Sequence, residues 1–390
     1  MTRTEQPHLP GTQLSRATPQ AVSDAFDAAR LTQARVLKAM TKREVAQKIG
    51  VSPAAIGQYE TGSSRPRPHV VPKLAEVLDV PIEFFLAGRP HGKIDASMAN
   101  FRSLRSTRSF QREKATGYVG QVWELTYALE RYVQLPPVDL PGFSGGEIHP
   151  GTDLPREPDA AAAALRRRWE LGTGPIRHLV RQMEARGIVV VAPVEADPGS
   201  PSVDAFSTCR LPRPIVVLTP NRSDDVYRYR FSAAHELGHL VLHADGVSGD
   251  AVQEREADAF AAAFLTPNDS IRPDLPHRID FTRLAELQRV WGVSVSSLVY
   301  RSRELGLVSD ATVSRAYQRL HRLKGQTGFR PEPITGFPGE QPSMLRKAFE
   351  LACNGGLSLR KLAKTLAWKP ERVAEILGVV DSRPVLRLVE

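Results

Sequence analysis

The chain has 390 residues, 41% hydrophobic and 24% charged, with a formal net charge of +9 and a pI near 9.7. That composition excludes a disordered polymer and is too long for one ordinary small domain, so two or three compact units are expected. No apolar run is long enough to cross a bilayer, the first residues lack the hydrophobic stretch of a secretory signal, and the only cysteines, Cys209 and Cys353, exclude a disulfide framework and a cysteine-based metal site. A cytoplasmic protein with free thiols and no membrane partner is the expectation. The basic balance suits a phosphate-bearing partner, although an Arg-rich solvated surface gives the same figure without one.

Residues 1–19 are polar, with scattered prolines and no periodicity, and read as a disordered tail. Over 20–88, short helical patterns separated by brief turns predict an all-α domain. Thr41 opens a helix as its cap, with Glu44 completing a capping box and Val45, Ala46 and Ile49 facing inward. Gly50 ends it; Ser52 caps the next helix with Pro53 at its first position, Ile56 and Tyr59 face the core, and Gly62 supplies the stop. Two short helices joined this way form a helix-turn-helix, a unit narrow enough to enter the major groove. The run Val51 to Gly62, followed by Arg65-Pro66, resembles the Cro and phage-repressor (XRE) class of DNA-binding domains. By position, the resemblance puts Ser52, Pro53, Ala54, Ala55, Gly57 and Gln58 toward the DNA, with Lys42, Arg43 and Arg65 near phosphates. The partner it implies is a double-stranded operator; small residues at Ala54 and Ala55 leave little for direct base readout.

Residues 89–158 read as a linker with a connecting helix: a basic irregular stretch from Gly88 to Lys114, helical spacing over Gln121 to Val133, and a Pro/Gly-crowded boundary from Pro136 to Pro158. A second domain is expected over 159–310. In it Ala160 to Glu184 is strongly helix-forming, Gly187 is a stop before a strand ending at Val191, and Pro214 to Leu218 is another strand. Residues 311–390 read as a C-terminal helical region, with a Pro/Gly-rich break from Gly325 to Pro342. The Thr41 to Pro53 pattern has loose echoes at Leu284 to Ser294 and Ser358 to Pro370, as paired short helices commonly do.

The most informative stretch is His235-Glu236-Leu237-Gly238-His239. On a helix the two histidines lie one turn apart, so both imidazoles can reach one tetrahedral zinc ion, while Glu236 sits beside the open coordination position as general base for a water attacking a peptide carbonyl. A third ligand is needed, and Glu254 and Asp258 lie one turn apart downstream: Glu254 is assigned to the metal and Asp258 to a hydrogen bond that fixes a ligand histidine. Glu256, on another face, reads as a solvated charge and the reserve ligand. His243 continues the spacing, but three turns cannot aim at one point, so it reads as a helix-end histidine.

With Arg228 to Ser232 before these histidines and Glu254 to Pro267 after them, the chain resembles the ImmA/IrrE metallo-endopeptidases fused to a Cro-type domain. Weaker matches lie at Phe101 to Ser103, Ala205 to Ser207, Trp291 to Ser294 and Arg303 to Leu307. The resemblance implies a mainly α protein with a small β-sheet: a helix-turn-helix domain, an α/β zincin-like (gluzincin type) peptidase domain and a C-terminal helical region. It assigns His235, His239 and Glu254 to Zn2+ and Glu236 to catalysis, with a helix-turn-helix repressor as the protein substrate. Pro214 to Leu218 is the candidate edge for an extended substrate, with an ordinary core strand as the other reading; Tyr227 and Tyr229 could polarise its carbonyl, although tyrosine is more often structural. The competing expectations are a transcription factor whose zinc domain senses a ligand or partner, and a zinc-stabilised assembly module. A homodimer is expected of a domain that reads paired half-sites, although no heptad pattern compels it.

Overall fold

The computed structural model describes residues 17–88, 100–101, 109–144, 147–148, 154–193, 205–218, 225–243, 251–323, 325–326 and 329–379. The tail expected over 1–19 falls outside them up to residue 16, as do Arg102 and Ser103. The described residues form two compact units that are not consecutive in sequence: one gathers the N-terminal residues to 88, residues 109–133 and those from Phe349 onward, and the other holds the rest. This departs from the sequential division expected, in which 89–158 is a linker and 311–390 a region of its own.

The first unit opens with α1 (Pro19–Asp24), α2 (Ala28–Leu37), α3 (Lys42–Ile49), α4 (Pro53–Thr61) and α5 (Val71–Leu78), then a 3-10 turn at Ile82–Phe85. Local chemistry sets each boundary. The Thr41 side chain accepts from the Glu44 amide at 3.2 Å while Glu44 accepts from the Thr41 amide at 2.7 Å, and Gly50 and Gly62 close α3 and α4 in the left-handed region at φ 75° each. α6 (Ser109–Glu130), longer than the helix expected from Gln121, packs against α2. Their contact holds a buried ion pair: Arg30 Nη1 donates to Glu124 Oε1 at 2.5 Å, and Gln33 donates to the same oxygen at 3.0 Å.

The second unit is built on a mixed four-stranded sheet of order β1-β5-β6-β4, in which β1 (Asn100–Phe101), β4 (Val189–Val191), β5 (Phe206–Thr208) and β6 (Ile215–Val217) are short. β4 runs parallel to β6, and β5 antiparallel to both β6 and β1. A separate hairpin pairs β2 (Phe143–Ser144) with β3 (Glu147–Ile148). Because β6 has a neighbour on each side, its backbone groups are committed to β4 and β5, so Pro214 to Leu218 takes the core-strand reading rather than that of a substrate edge. The helices are α7 (Pro158–Arg168), α8 (Leu179–Ala185), α9 (Val226–Leu242), α10 (Ala251–Leu265), α11 (Asn268–Ile271), α12 (Phe281–Trp291), α13 (Val295–Glu304) and α14 (Asp310–Leu323). The helix expected over Ala160 to Glu184 is two, because Glu170 turns left-handed at φ 54° and Pro175 follows two glycines at 172 and 174.

α9 is the axis of this unit, packed on α7, α8, α10 and strands β5 and β6. Arg230, one turn before the histidines, is buried in an ion pair with Glu340 and also donates to the carbonyls of Ile176 at 2.7 Å and Gly292 at 2.8 Å. Glu340 in turn accepts from the amides of Leu179 and Val180, which satisfies donors at the start of α8 where His178 provides no side-chain cap. Glu184 accepts from the Ser343 and Met344 amides, both at 2.8 Å. Residues 334–344, part of the Pro/Gly-rich break in sequence, are thus a strap stitched into the unit by buried carboxylates.

The chain ends in α15 (Met344–Asn354), α16 (Leu359–Leu366) and α17 (Pro370–Leu377). α16 packs on α6, and Arg372 of α17 donates to Gln121 at 2.9 and 2.7 Å, so these helices extend the first unit rather than the peptidase-like core. The sequence echoes have a structural counterpart. α3–α4, α12–α13 and α16–α17 share one connection: a left-handed residue (Gly50, Gly292, Ala367), one further residue, then the cap of the second helix (Ser52, Ser294, Lys369).

Arg30→Met leaves the Glu124 carboxylate buried without its cation and is expected to cost about 3–5 kcal/mol in urea unfolding followed by circular dichroism. Arg30→Met combined with Glu124→Leu should recover most of that loss.

Candidate metal centre and DNA-facing helix

Asp225 caps α9 by accepting from the Tyr227 amide at 3.1 Å, and the helix runs unbroken through the histidine motif. His235, Glu236 and His239 are all buried. Gly238 faces α10, where a Cβ would stand 3.0 Å from the Phe260 ring and 3.3 Å from the Ala257 backbone. Glycine therefore permits the close approach that brings the first turn of α10 over the imidazoles. His235 Nε2 and His239 Nε2 are 3.0 Å apart; Glu254 Oε2 is 3.5 Å from the first and Oε1 is 3.4 Å from the second. Among the described residues this is the group of His, Cys, Asp and Glu side chains whose ligand atoms converge as a metal site requires, all within 4.8 Å.

The partners behind the imidazoles decide which nitrogens carry hydrogen. His235 Nδ1 lies 2.8 Å from Asp258 Oδ1; a carboxylate only accepts, so Nδ1 carries the proton and Nε2 presents its lone pair inward. Behind His239 stands His243, with the two Nδ1 atoms 3.0 Å apart, and behind His243 stands Glu256, its Oε2 2.8 Å from Nε2. His243 is the helix-end residue expected, capping α9, and Glu256, 41% exposed, also holds its ring. Burial pushes His243 below the ordinary histidine range, partly offset by Glu256. Burial opposes ionisation of Glu254, but His235 and His239, when protonated, outweigh it and hold the carboxyl down at about 2.

Glu236 is 1% exposed, and Ser207 on β5 donates to its Oε2 at 2.8 Å. Sequence reasoning passes over Ser207 as part of a weak string; a serine facing inward on a buried strand is the one local signal of a polar duty. Both tyrosines have the structural placements that are the commoner reading. Tyr227 donates its hydroxyl to Glu332 at 2.9 Å, and Tyr229 is buried in the hydrophobic core. Burial raises both hydroxyls above the ordinary tyrosine range.

Around α4, Ser52, Pro53, Ala54 and Gln58 are exposed and Ala55 and Gly57 half-buried, while Ile56 and Tyr59 are buried. Arg43 is exposed on α3. Lys42 pairs with Glu60 of α4 at 3.1 Å, and Arg65 donates to the Asp24 carbonyl at the end of α1 at 2.6 Å.

Residues 31–85 match the helix-turn-helix family, and residues 183–303 match the IrrE N-terminal-like domain of the M78 peptidases. The chain joins a helix-turn-helix domain to an IrrE N-terminal-like domain. No curated protein matches it. The IrrE N-terminal-like match contains β4 to β6, α9 and α10, and so every residue of the candidate centre; the helix-turn-helix match contains α3 to α5. Among the described residues no helix is long and apolar enough to cross a membrane.

Gly238→Ala should loosen the contact between α9 and α10, lowering stability by about 1–3 kcal/mol as overpacking does. Chemical denaturation of the full chain checks this; a loss below a few tenths of a kcal/mol would mean the helices yield freely there.

Proposed function

We propose that the chain is a DNA-binding regulator whose IrrE N-terminal-like domain is a zinc-dependent endopeptidase acting on a regulatory protein. The observation that carries this reading is the convergence of two imidazole lone pairs and one ionised carboxylate, with Glu236 adjacent. Two imidazole nitrogens 3.0 Å apart, with the Glu254 oxygens 3.5 and 3.4 Å from them, form a donor set that a divalent cation satisfies. Two histidines and a glutamate fit zinc with a coordination position left open. Zinc bound there supplies Lewis acidity, lowering the pKa of water and polarising a peptide carbonyl.

The remaining chemistry falls to the chain. Ser207 holds Glu236 Oε2, and we assign proton transfer to Oε1: it takes a proton from the attacking water and returns it to the leaving amine. Asp258 keeps His235 in the tautomer that faces the site. A helix-turn-helix repressor is the favoured substrate, on the resemblance and on the chain's own DNA-binding domain, which would hold the peptidase at an operator.

Glu236→Gln should retain zinc, read by mass spectrometry of the metal, and retain DNA binding, while cleavage of a peptide library falls at least about 10²–10⁴-fold. His235→Ala and Glu254→Ala should lose zinc. A Glu236→Gln protein that cleaves like the parent removes the peptidase reading; a parent that cuts nothing, with intact zinc and DNA binding, leaves the domain as a sensor. Gln58→Ala with Arg65→Ala should weaken binding to a selected operator by about 10-fold or more; unchanged binding removes α4 as the reading helix.

A further inference from the structure

His243 and Glu256 stand outside the set of groups that converge on the metal position, yet their geometry is specific. His243 lies one turn beyond His239 at the end of α9, buried, with Nδ1 3.0 Å from His239 Nδ1 and Nε2 2.8 Å from Glu256 Oε2. Each neutral imidazole has one donor and one acceptor nitrogen, while an ionised carboxylate only accepts. The order of hydrogens along this line is therefore set from its far end. Glu256 accepts from His243 Nε2, which leaves His243 Nδ1 as an acceptor. That acceptor draws the proton of His239 onto Nδ1. The lone pair of His239 then lies on Nε2, the nitrogen 3.4 Å from Glu254 Oε1.

We infer that His243 and Glu256 are positioning residues for the metal site: Glu256, acting through His243, holds His239 in its ligand tautomer and orientation, as Asp258 does directly for His235. This rests on the zinc reading above and adds to it. The two ligand histidines are supported unequally, one by a carboxylate in contact and one by a carboxylate a ring away. α10 supplies all three acids, with Glu254 toward the histidine nitrogens and Glu256 and Asp258 behind the two rings. The interposed imidazole answers a problem of reach, since it spans the distance between a ligand on α9 and a carboxylate that cannot touch it. It also explains why a third histidine at helical spacing can serve a metal without binding it.

The test uses the full chain loaded with zinc. His243→Phe keeps a ring but removes both nitrogens, and should weaken zinc binding about 10–100-fold in competition with a chromophoric chelator. Glu256→Leu should fall in the same range, and Arg255→Gln, exposed on the same helix, should match the parent. Nitrogen-15 spectra of labelled histidines give a readout that packing alone would not move. The parent should show His243 protonated at Nε2 and His239 at Nδ1, and Glu256→Leu should abolish the single His243 tautomer. Because Glu256 is partly exposed, this variant keeps the test open if His243→Phe does not fold. Zinc affinity within twofold of the parent in both variants, or a parent His243 protonated at Nδ1, overturns the inference while leaving zinc binding in place. A parent that binds no zinc overturns the metal reading and this inference together.

Discussion

The second unit depends on the contact between α9 and α10 at Gly238. A helix can place two histidines one turn apart by itself, but a third donor must come from elsewhere, and the candidate, Glu254, comes from a helix whose backbone at Ala257 lies 3.3 Å from where a Cβ would stand. Any side chain at 238 moves the two axes apart. With them would move Glu254 away from the imidazoles, Asp258 from His235 and Glu256 from His243. A single missing carbon thus lets the carboxylates of Glu254, Asp258 and Glu256 all reach the histidines of α9.

Around that contact, the unit is fixed by buried charge at a few points. Arg230 meets Glu340 and two carbonyls, and Glu340 and Glu184 accept four backbone amides from α8 and the strap before α15. Such pairs are costly to break rather than generous in net stability, because removing one partner leaves the other desolvated. Their effect is to allow α9 one seating. The apolar core of the same unit, with Trp169, Tyr229, Phe260 and Phe264 among its largest buried side chains, would tolerate small sliding motions that the charges do not.

The first unit follows a simpler rule. α3, α4 and α16 start on capping side chains and stop at left-handed residues, and the connection used by α3–α4 recurs at α12–α13 and α16–α17. α3–α4 pairs that geometry with exposed small and polar residues at the start of the second helix, where Ser52, Pro53 and Ala54 are all exposed. α17 presents Glu371 and an Arg372 committed to Gln121, and α13 lies in the other unit beneath Tyr317, whose hydroxyl donates to Ser296 at 3.4 Å. The shared connection reflects a common way to turn a chain between two short helices, on which function is then decided by surface chemistry.

What the sequence by itself determined is what depends on neighbours within a turn or two of helix. The caps at Thr41 and Ser52, the stops at Gly50 and Gly62, and the common face of His235 and His239 follow from helical spacing, and Glu254 could be singled out because a metal with two ligands needs a third. The tertiary structure alone decided what depends on approach between separate elements. It put Ser207 on Glu236, Glu256 on His243, and hydrogen-bond partners on the Tyr227 hydroxyl; it placed β6 inside the sheet and sent the last helices to α6. Those outcomes are set by which surfaces pack, and a one-dimensional pattern carries the period of an element but not its distance to another.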